Sequence, residues 1–500
     1  AAIAGAGYAK NLRHDIYYKV QDFSFKNIDH FSTSGLVTRM TTDITNIQMA
    51  YMMSIRLLAR APIMIVLSWI MTLTLSKKAA LLFLIVIPVL GGTLLFIAKK
   101  AHPHFIKVFD EYDDLNNSVQ ENVNAARVVK AFVREDYEID KFHGVSKYVY
   151  QLFTTAEKIV AWNSPVMQFV MYAVIMILVY IGGKGIVAKT METGALTSII
   201  VYALQIIGSL MMVTFVFVMI MIAGASTDRI TDVLDEIPEM IDPADAVTSV
   251  ADGDIVFDHV SFSYAGEGGN LSLKDVNLHI KSGQTVGIIG GTGSAKSTLV
   301  QLIPRLYDVT KGSVMVGGVD VRKYNLEALR DQVSMVLQKN VLFSGTIYDN
   351  IRWGNENASD EEVQNVCKLA QADGFVREFP DGYNTQIVQG GNNVSGGQKQ
   401  RLCIARALLK KPKILILDDS TSAVDTKTDA LIRKAFREEI PNTTKIIIAQ
   451  RVSSIEDADQ IIVLENGAIS GIGTSEELLK TNDIYREVYE SQVKGGEDHE

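Results

Sequence analysis

The stretch GGTGSAKST, residues 290–298, decides the fold of the second half of this chain. It follows a short apolar segment, Thr285 to Ile289, and precedes a segment with helical character, Leu299 to Leu306. A strand, a glycine-rich turn, a lysine and two hydroxyl residues form the pattern of a phosphate-binding loop, whose backbone and following helix direct N–H groups at phosphates. The pattern predicts that Lys296 reaches the outer phosphates of a nucleotide and that Ser297 holds Mg²⁺.

The alternative is a glycine- and serine-rich turn before a surface helix, but Lys-Ser-Thr directly after such a loop favours nucleotide binding. One residue departs from the pattern, because Ala295 stands where the motif has glycine. A methyl group there costs little in a helical backbone and about 1–2 kcal/mol where φ is positive. The predicted ATP-binding loop comprises Gly290, Gly291, Thr292, Gly293, Ser294, Ala295, Lys296, Ser297 and Thr298.

Composition places part of this 500-residue chain in a membrane. Hydrophobic residues make up 48% of it and the mean hydropathy is +0.15, which is high for a soluble protein. The formal net charge is −9 and no basic stripe is interleaved with aromatic residues, so nucleic acid is not an expected partner. The two cysteines, Cys367 and Cys403, lack metal-ligand spacing, and we expect them to be reduced structural thiols.

Four runs poor in charge predict membrane-spanning helices in the first half of the chain. They lie near residues 50–76, 79–100, 159–183 and 195–227, and each is close to or above the roughly 20 residues that span a bilayer. The alternative, buried helices of a large soluble protein, does not account for four such runs. A lipid bilayer is therefore a predicted partner, and the phosphate-binding loop predicts that the second half lies in the cytoplasm, where ATP is found.

Changes in composition predict the domain boundaries. Residues 237–253 carry proline, aspartate and glycine without periodicity, and form a predicted linker between a transmembrane domain, 1–236, and a second domain, 254–491. In the second domain short apolar strands alternate with helical stretches, which predicts an α/β fold with a largely parallel sheet. An acidic tail, 492–500, ends the chain. Residues 1–9 are small and apolar, and we expect them to be the end of a helix whose true N-terminus is missing.

Two further motifs lie beyond the phosphate-binding loop. Residues 394–401 read VSGGQKQR, and residues 414–419 read ILILDD, an apolar strand that ends in Asp418. Such a strand-end carboxylate holds Mg²⁺ opposite a phosphate-binding loop. With the Ser-Gly-Gly-Gln run just upstream, the chain resembles the half-transporters of the ABC exporter family. The resemblance covers the whole chain and implies an α-helical transmembrane domain, without the first and most of the second of the family's six helices, followed by an α/β P-loop nucleotide-binding domain that uses ATP and Mg²⁺.

The resemblance also implies roles for individual positions. Tyr264 matches the aromatic residue that stacks on adenine, with a core strand residue as the alternative. Two bends, at Ile28–Gly35 and Asn124–Phe132, match the helices that couple the two domains, although their residues fit a plain helix bend equally well. Three further sets are implied: Ser297, Gln338 and Asp418 for Mg²⁺; a signature acting on the partner's ATP, Ser395, Gly396, Gly397 and Gln398; and an inter-site loop with Ser422 and Asp425.

Two catalytic positions depart from the family pattern. Asp419 stands where the family has a Glu that activates the attacking water, so its carboxylate lies one bond, roughly 1.5 Å, further back. Gln450 stands where the family has a His that contacts the γ-phosphate, and a neutral amide cannot carry positive charge. Together with Ala295 these residues imply a degenerate nucleotide site beside an intact signature. Independent neutral variation is the alternative. Heterodimeric bacterial multidrug exporters combine one such slow site with one active site.

The sequence therefore predicts one half of an ATP-driven exporter of lipophilic compounds in the cytoplasmic membrane, paired with a second half-transporter. Adaptable methionine side chains in or beside the spans suit varied lipophilic cargo, although lipid-facing or packing methionine is an equal alternative. A lipid or peptide exporter is the near rival. An ATP-gated channel or regulatory subunit is the alternative from another functional class. ATPase activity stimulated by substrate would indicate an exporter, whereas a passive ionic current would indicate a channel.

Overall fold

The computed structural model describes residues 1–266, 268–420 and 422–497. The chain divides into two compact units. We name them the membrane unit, Ala1–Asp22 with Phe31–Ile237, and the nucleotide unit, Phe23–His30 with Pro238–Glu500. The boundary predicted at residue 236 lies beside Ile237. The predicted transmembrane domain, 1–236, also included the short segment Phe23–His30, which the structure groups with the nucleotide unit.

Long helices build the membrane unit, as expected where lipid leaves backbone N–H and C=O groups no partner outside their own helix. The helices of this half of the chain are α1 (Ala2–Gln21), α2 (Phe25–Phe31), α3 (Thr33–Thr38), α4 (Ile44–Met53), α5 (Ala59–Leu75), α6 (Lys77–Asn124), α7 (Ala126–Ala131), α8 (Glu135–Ala161), α9 (Asn163–Val187) and α10 (Thr193–Asp235). All but the last residue of α2 belong to the nucleotide unit, and α3 and α7 are short. Two π-helical turns, Arg39–Asp43 and Ser54–Leu58, join α3, α4 and α5 into one helical stretch. The bend predicted at 28–35 is thus a break between α2 and α3 at Ser32, and the bend predicted at 124–132 contains α7.

Within the described residues, four helical stretches are long and apolar enough to cross a membrane: Thr33–Leu75, Lys77–Phe105, Glu135–Val187 and Thr193–Asp235. Each of the four predicted runs falls in one of them, apart from the single residue 76. The first two form a tight hairpin, because Ser76 caps α6 by accepting a hydrogen bond from the Ala79 N–H. The Trp69 indole N–H closes the hairpin by donating to the Ala80 carbonyl oxygen at 3.1 Å.

The membrane unit has an apolar core where α6, α9 and α10 meet. Phe83, Leu90, Leu178 and Ile206 are at most 2% exposed in this cluster. Met167 is buried with them. This methionine of the third predicted span therefore packs between helices instead of lining an open surface.

An ion pair between a buried carboxylate, Asp43, and an exposed guanidinium, Arg229, ties the π-helical turn Arg39–Asp43 to the end of α10. Asp43 is fully buried, and both of its carboxylate oxygens accept hydrogen bonds from the Arg229 guanidinium. The Ser226 hydroxyl donates to Asp43 Oδ1 at 2.8 Å, and the Asn46 amide donates to that hydroxyl at 3.2 Å. Arg39 adds a bond from its guanidinium to the Arg229 carbonyl oxygen at 2.9 Å. A buried carboxylate needs such partners, because an unpaired charge away from water is costly.

Two sheets organise the nucleotide unit. The strands are β1 (Ile255–Phe262), β2 (Leu273–Ile280), β3 (Thr285–Ile289), β4 (Lys311–Val316), β5 (Val319–Asp320), β6 (Val333–Val336), β7 (Gly345–Thr346), β8 (Gln386–Ile387), β9 (Ile414–Asp418), β10 (Thr444–Ile448), β11 (Gln460–Glu465) and β12 (Ala468–Gly473). A sheet of order β12-β11-β3-β10-β9-β6 is parallel except at β12, and a second sheet of order β2-β1-β4-β5 is antiparallel. Strands β7 and β8 form a separate pair.

The parallel sheet is buried on both faces. Along β9, Ile414 and Ile416 enter one apolar cluster, while Leu415 and Leu417 enter the other. This alternation follows from the period of two in a strand, and it explains why these strands are uninterrupted apolar runs in the sequence. Both predicted structural cysteines, Cys367 and Cys403, are free and buried, and burial raises the pKa of the Cys367 thiol to about 12.

The helices of the nucleotide unit differ from the sequence expectations at two places. They are α11 (Lys296–Gln301), α12 (Leu326–Gln332), α13 (Ile347–Arg352), α14 (Asp360–Leu369), α15 (Asp373–Glu378), α16 (Gly396–Leu409), α17 (Thr426–Glu439), α18 (Ser475–Thr481) and α19 (Asp483–Glu497). The helix after the phosphate loop starts at Lys296 and is shorter than predicted. The tail assigned to 492–500 is helical as far as Glu497, and residues 498–500 lie outside the described residues.

The Asp43–Arg229 pair can be tested by changing one partner at a time. Arg229→Ala leaves the buried carboxylate without a charged partner, so we expect the thermal stability of the purified chain to fall, by on the order of 1–3 kcal/mol. Adding Asp43→Asn to that variant removes the unpaired charge, and part of the loss should return. A double variant no more stable than Arg229→Ala, measured by thermal unfolding in detergent, would contradict this role of the pair.

Candidate nucleotide site

A cavity of about 690 Å³ lies at one edge of the parallel sheet. Strands β3, β10, β9 and β6 are parallel neighbours, so their carboxyl ends meet at this edge. The structure brings together here the residues that follow those strands. They are the whole predicted loop from Gly290 to Thr298, Gln338 after β6, Asp418 and Asp419 at the end of β9, and Gln450 after β10.

The loop backbone needs glycine at its first turn. Gly290 has φ of +157°, and a Cβ built there would overlap the Leu464 carbonyl oxygen and lie 2.8 Å from Ser294 Oγ. Ala295 has φ of +71°, in the left-handed region. Because φ is positive, the conformational cost of a methyl group at this position is about 1–2 kcal/mol.

Lys296 is folded onto its own loop. Its ammonium donates to the carbonyl oxygens of Gly290 and Gly291, each at 2.8 Å, and to Ser294 Oγ at 3.4 Å. Burial lowers the pKa of Lys296, while the charges of Asp418 and Asp419 oppose that effect. The ammonium is thus held at the floor of the cavity, where a phosphate oxygen can replace the loop carbonyls as its acceptor.

Ser297 and Asp418 form an oxygen pair suited to a small divalent cation. The Ser297 hydroxyl donates to Asp418 Oδ1 at 3.0 Å, and Asp418 is 3% exposed. Burial raises the pKa of Asp418, the Ser297 hydrogen bond opposes the rise and the nearby charge of Asp419 adds to it. Within the described residues there is no cluster of three His, Cys, Asp or Glu side chains that could hold a metal. The Ser297 and Asp418 oxygens fit Mg²⁺ bound by one carboxylate, one hydroxyl and substrate phosphates.

Asp419 and Gln450 are in direct contact. The Gln450 amide Nε2 donates to Asp419 Oδ2 at 2.7 Å. Burial raises the pKa of Asp419, and hydrogen bonds from Gln450 and Gln338 oppose the rise. Gln338 therefore reaches Asp419, and its predicted contact with Mg²⁺ stays a prediction. Asp419 also has φ of +49°, so the carboxylate projects from an unusual backbone conformation.

Tyr264 lies outside the residues that line the cavity. Its hydroxyl is 3.1 Å from Thr298 Oγ1 and donates to Gln301 Oε1 at 3.3 Å, so the side chain rests on α11. The ring makes edge contacts with Phe262 and Tyr307, at centroid distances of 4.8 and 5.2 Å. Stacking on adenine stays a prediction, and the ring is 45% exposed on that surface.

Tyr307, which the sequence did not single out, also contacts α2 at Asp29, a residue of the bend predicted at 28–35. Its hydroxyl donates to Asp29 Oδ2 at 2.8 Å, and its ring contacts Phe25 edge-on at 6.1 Å. The segment Phe23–His30 thus packs on the aromatic cluster that holds Tyr264. The signal in the sequence was weak, because single aromatic residues 280 positions apart give no local pattern.

The signature lies apart from the cavity, at the start of α16. The Ser395 hydroxyl accepts from the Gln398 N–H, and the Gln398 side chain accepts from the Ser395 N–H, which is a capping box. Gly396 and Gly397 form the first turn of the helix. A Cβ on Gly397 would lie 2.7 Å from the Ala423 carbonyl oxygen, so this glycine allows the inter-site loop to approach closely.

The inter-site loop links the signature helix to the backbone of Asp419 in the same chain. Gln400 Oε1 accepts from the Ala423 N–H at 3.1 Å, and its Nε2 lies 3.4 Å from Ser422 Oγ. The Ser422 hydroxyl donates in turn to the Asp419 carbonyl oxygen at 3.0 Å. Asp425 caps α17 by accepting from the Thr428 N–H. Both inter-site residues thus have structural partners, and their contact with a second nucleotide stays a prediction.

The opposite wall of the cavity was not predicted. It includes Lys274, the turn residues Asn466 and Gly467 between β11 and β12, and Val488 of α19. Lys274 lies 192 positions before Asn466, and none of these residues carries a motif. Only the tertiary structure brings them to the phosphate loop.

Comparison with known proteins agrees with this geometry. The family described as ABC transporter transmembrane region matches residues 1–210, and the family described as ABC transporter matches residues 273–422. The uncharacterized ABC transporter ATP-binding protein YfiB of Bacillus subtilis (strain 168) is 37% identical over 492 residues, 98% of this chain and 85% of the relative. The ATP-dependent lipid A-core flippase of Desulfotalea psychrophila is 32% identical over 490 residues, 98% and 85% of the two chains.

A third relative, the fatty acid ABC transporter ATP-binding/permease protein of Mycobacterium tuberculosis, is 32% identical over 474 residues, 95% of this chain and 75% of the relative. Among solved structures, a bacterial Atm1-family ABC exporter with ATP bound superposes with a TM-score of 0.87 at 24% identity, over 98% of this chain and 86% of the other. That likeness concerns the fold. The chain therefore belongs to the ABC transporter family, as an exporter half-transporter in which a transmembrane region is fused to a domain that binds and hydrolyses ATP.

Proposed function

We propose that this chain is one subunit of a heterodimeric exporter of lipophilic compounds, and that its own nucleotide site hydrolyses ATP slowly. The observation that carries the proposal is the 2.7 Å hydrogen bond between Gln450 and Asp419 inside the phosphate cavity. It orients Asp419, the shorter carboxylate that stands as the candidate base. It also places a neutral amide where a charged imidazolium would act on the γ-phosphate.

Two physical effects make hydrolysis slow at this site. A general base must come within about 3 Å of the proton that it removes, and Asp419 has one methylene fewer than Glu to reach it. The partner of Asp419 is the neutral amide of Gln450, which cannot supply positive charge toward the γ-phosphate as a protonated His can. A misplacement of about 1 Å is enough to cost on the order of 10²-fold in rate.

The remaining residues of the cavity support tight ATP binding. Lys296 is free to exchange its loop carbonyls for phosphate oxygens, and the glycines of the loop leave room for them. Ser297 and Asp418 would hold Mg²⁺, which neutralises charge that develops on the phosphates. The N–H groups at the start of α16 and the Ser395 hydroxyl would act on ATP held by the second half-transporter, because they do not line this cavity.

The membrane unit supports export of lipophilic cargo. Its long apolar helices carry methionines on open surfaces, among them Met71, Met176 and Met211, which are 46–69% exposed. The cytoplasmic membrane is the proposed location, with the nucleotide unit in the cytoplasm. A lipid is the second candidate cargo, favoured by two relatives named as a lipid A-core flippase and a fatty acid transporter.

Restoring the two catalytic side chains tests whether they limit the rate. Asp419→Glu with Gln450→His should raise hydrolysis at this chain's own site, by a modest factor because the signature opposite and Ala295 also contribute. Single-turnover hydrolysis of labelled ATP measures the change, and Asp419→Glu alone is the matched control. If the double variant stays at the original rate opposite an intact signature, these residues do not disable the site.

The proposed asymmetry predicts unequal losses for two substitutions in this one chain. Ser395→Ala should nearly abolish ATPase and dye efflux of the heterodimer, because donors placed on a phosphate during the reaction are worth on the order of 10²–10³ in rate. Asp419→Asn should reduce both far less, since it removes a base that contributes little. A greater loss from Asp419→Asn would reverse the assignment of the slow and fast sites.

A further inference from the structure

The loop that carries Gln450 is held by the helix α19. The side-chain amide of Gln492 donates from Nε2 to the Gln450 carbonyl oxygen at 2.8 Å. Its Oε1 accepts from the Val452 N–H, also at 2.8 Å. One amide thus pairs with a carbonyl oxygen and an N–H that flank Arg451, in a stretch that follows β10 and precedes the 3₁₀ turn Val452–Ser454. A primary amide is the one neutral side-chain group that offers both a donor and an acceptor in this arrangement.

The helix presents Gln492 on the face that packs into the domain. Tyr485, Val488, Tyr489 and Gln492 follow the spacing of residues on one side of a helix. Tyr485 is fully buried and its hydroxyl pairs with Ser475 Oγ at 2.9 Å. Val488 lines the phosphate cavity itself. The position of Gln492 is therefore set by the same helix that closes one wall of the nucleotide site.

The opposite side of the loop is held by Arg451. Its guanidinium points to the carbonyl oxygens of Val424 and Ser422 in the inter-site loop, at 3.4 and 3.5 Å. These bonds are long, whereas those to Gln492 are of ordinary length. The backbone between Gln450 and Val452 is therefore fixed more firmly from α19 than from the inter-site loop.

We propose that Gln492 is a positioning residue for ATP hydrolysis, which fixes the loop so that the Gln450 side chain reaches Asp419. Gln492 touches no residue of the phosphate-binding loop among its hydrogen bonds in the described part of the chain, so it acts through Gln450. The inference concerns hydrolysis at this chain's own site and does not depend on whether that site is slow.

Three variants of the full chain separate the two bonds. Gln492→Ala removes both. Gln492→Glu keeps an acceptor for the Val452 N–H but sets a carboxylate against the Gln450 carbonyl oxygen. Ser491→Ala changes the exposed neighbour on the same helix and is the control. We expect single-turnover hydrolysis of ATP to fall about tenfold in the first two variants, since small displacements of a catalytic group are costly, with the KM for ATP within a factor of two of the parent.

Hydrogen exchange supplies a readout that does not require turnover. Without nucleotide, the Val452 amide should exchange faster in Gln492→Ala, and near the parent rate in Gln492→Glu and Ser491→Ala. Unchanged exchange at Val452 in Gln492→Ala would show that Gln492 does not hold the loop and would overturn the proposal. Full activity in Gln492→Glu would overturn the positioning role of the bond to the Gln450 carbonyl.

A double-mutant cycle distinguishes positioning from a general effect on stability. In a Gln450→Ala background, adding Gln492→Ala should slow hydrolysis no further, because the side chain that it positions is absent. Independent effects would instead multiply. A second loss of about tenfold in that background would overturn the inference, whatever the absolute rate of the parent site. A fast parent site would count against the proposed slow site alone.

Discussion

The parallel pairing of β10 with β3 and β9 is the constraint on which the nucleotide site depends. Because parallel strands end at the same edge, this pairing sets Lys296, Asp418 and Gln450 around one cavity although they are up to 154 positions apart. The pairing is stable because both faces of the sheet are covered with apolar side chains. The geometry of the candidate site thus rests on the packing of this apolar core.

Within that sheet, hydrogen bonds join the candidate catalytic positions to each other. Asp419 contacts Gln450 and Gln338 through its side chain and Ser422 through its carbonyl oxygen. Gln400 extends this network to the signature helix, and Gln492 extends it to α19. A change at Asp419 or Gln450 therefore alters partners on several elements.

The sequence predicted the motif residues of the candidate site, but it did not predict the residues from distant segments that form its walls. The phosphate loop, the strand-end Asp418 and the apolar strands are local patterns, and the structure brings them together as the parallel topology requires. Tyr307, Val488 and Gln492 were missed, because each acts through a contact between distant segments. Tyr264 was assigned to adenine by resemblance, and only the structure reveals its bond to Thr298. The conformation of Ala295 also needed coordinates, since sequence alone allowed either a helical or a left-handed backbone.

The central claim is that this chain's own nucleotide site turns over slowly and that a different half-transporter supplies the active one. The most direct measurement is the steady-state ATPase of the purified chain alone, compared with the same chain assembled with a second half-transporter that carries Glu after its strand-end Asp. The account predicts that the chain alone is slower by on the order of 10²-fold, as expected for a misplaced base. Equal rates for the two assemblies would contradict it.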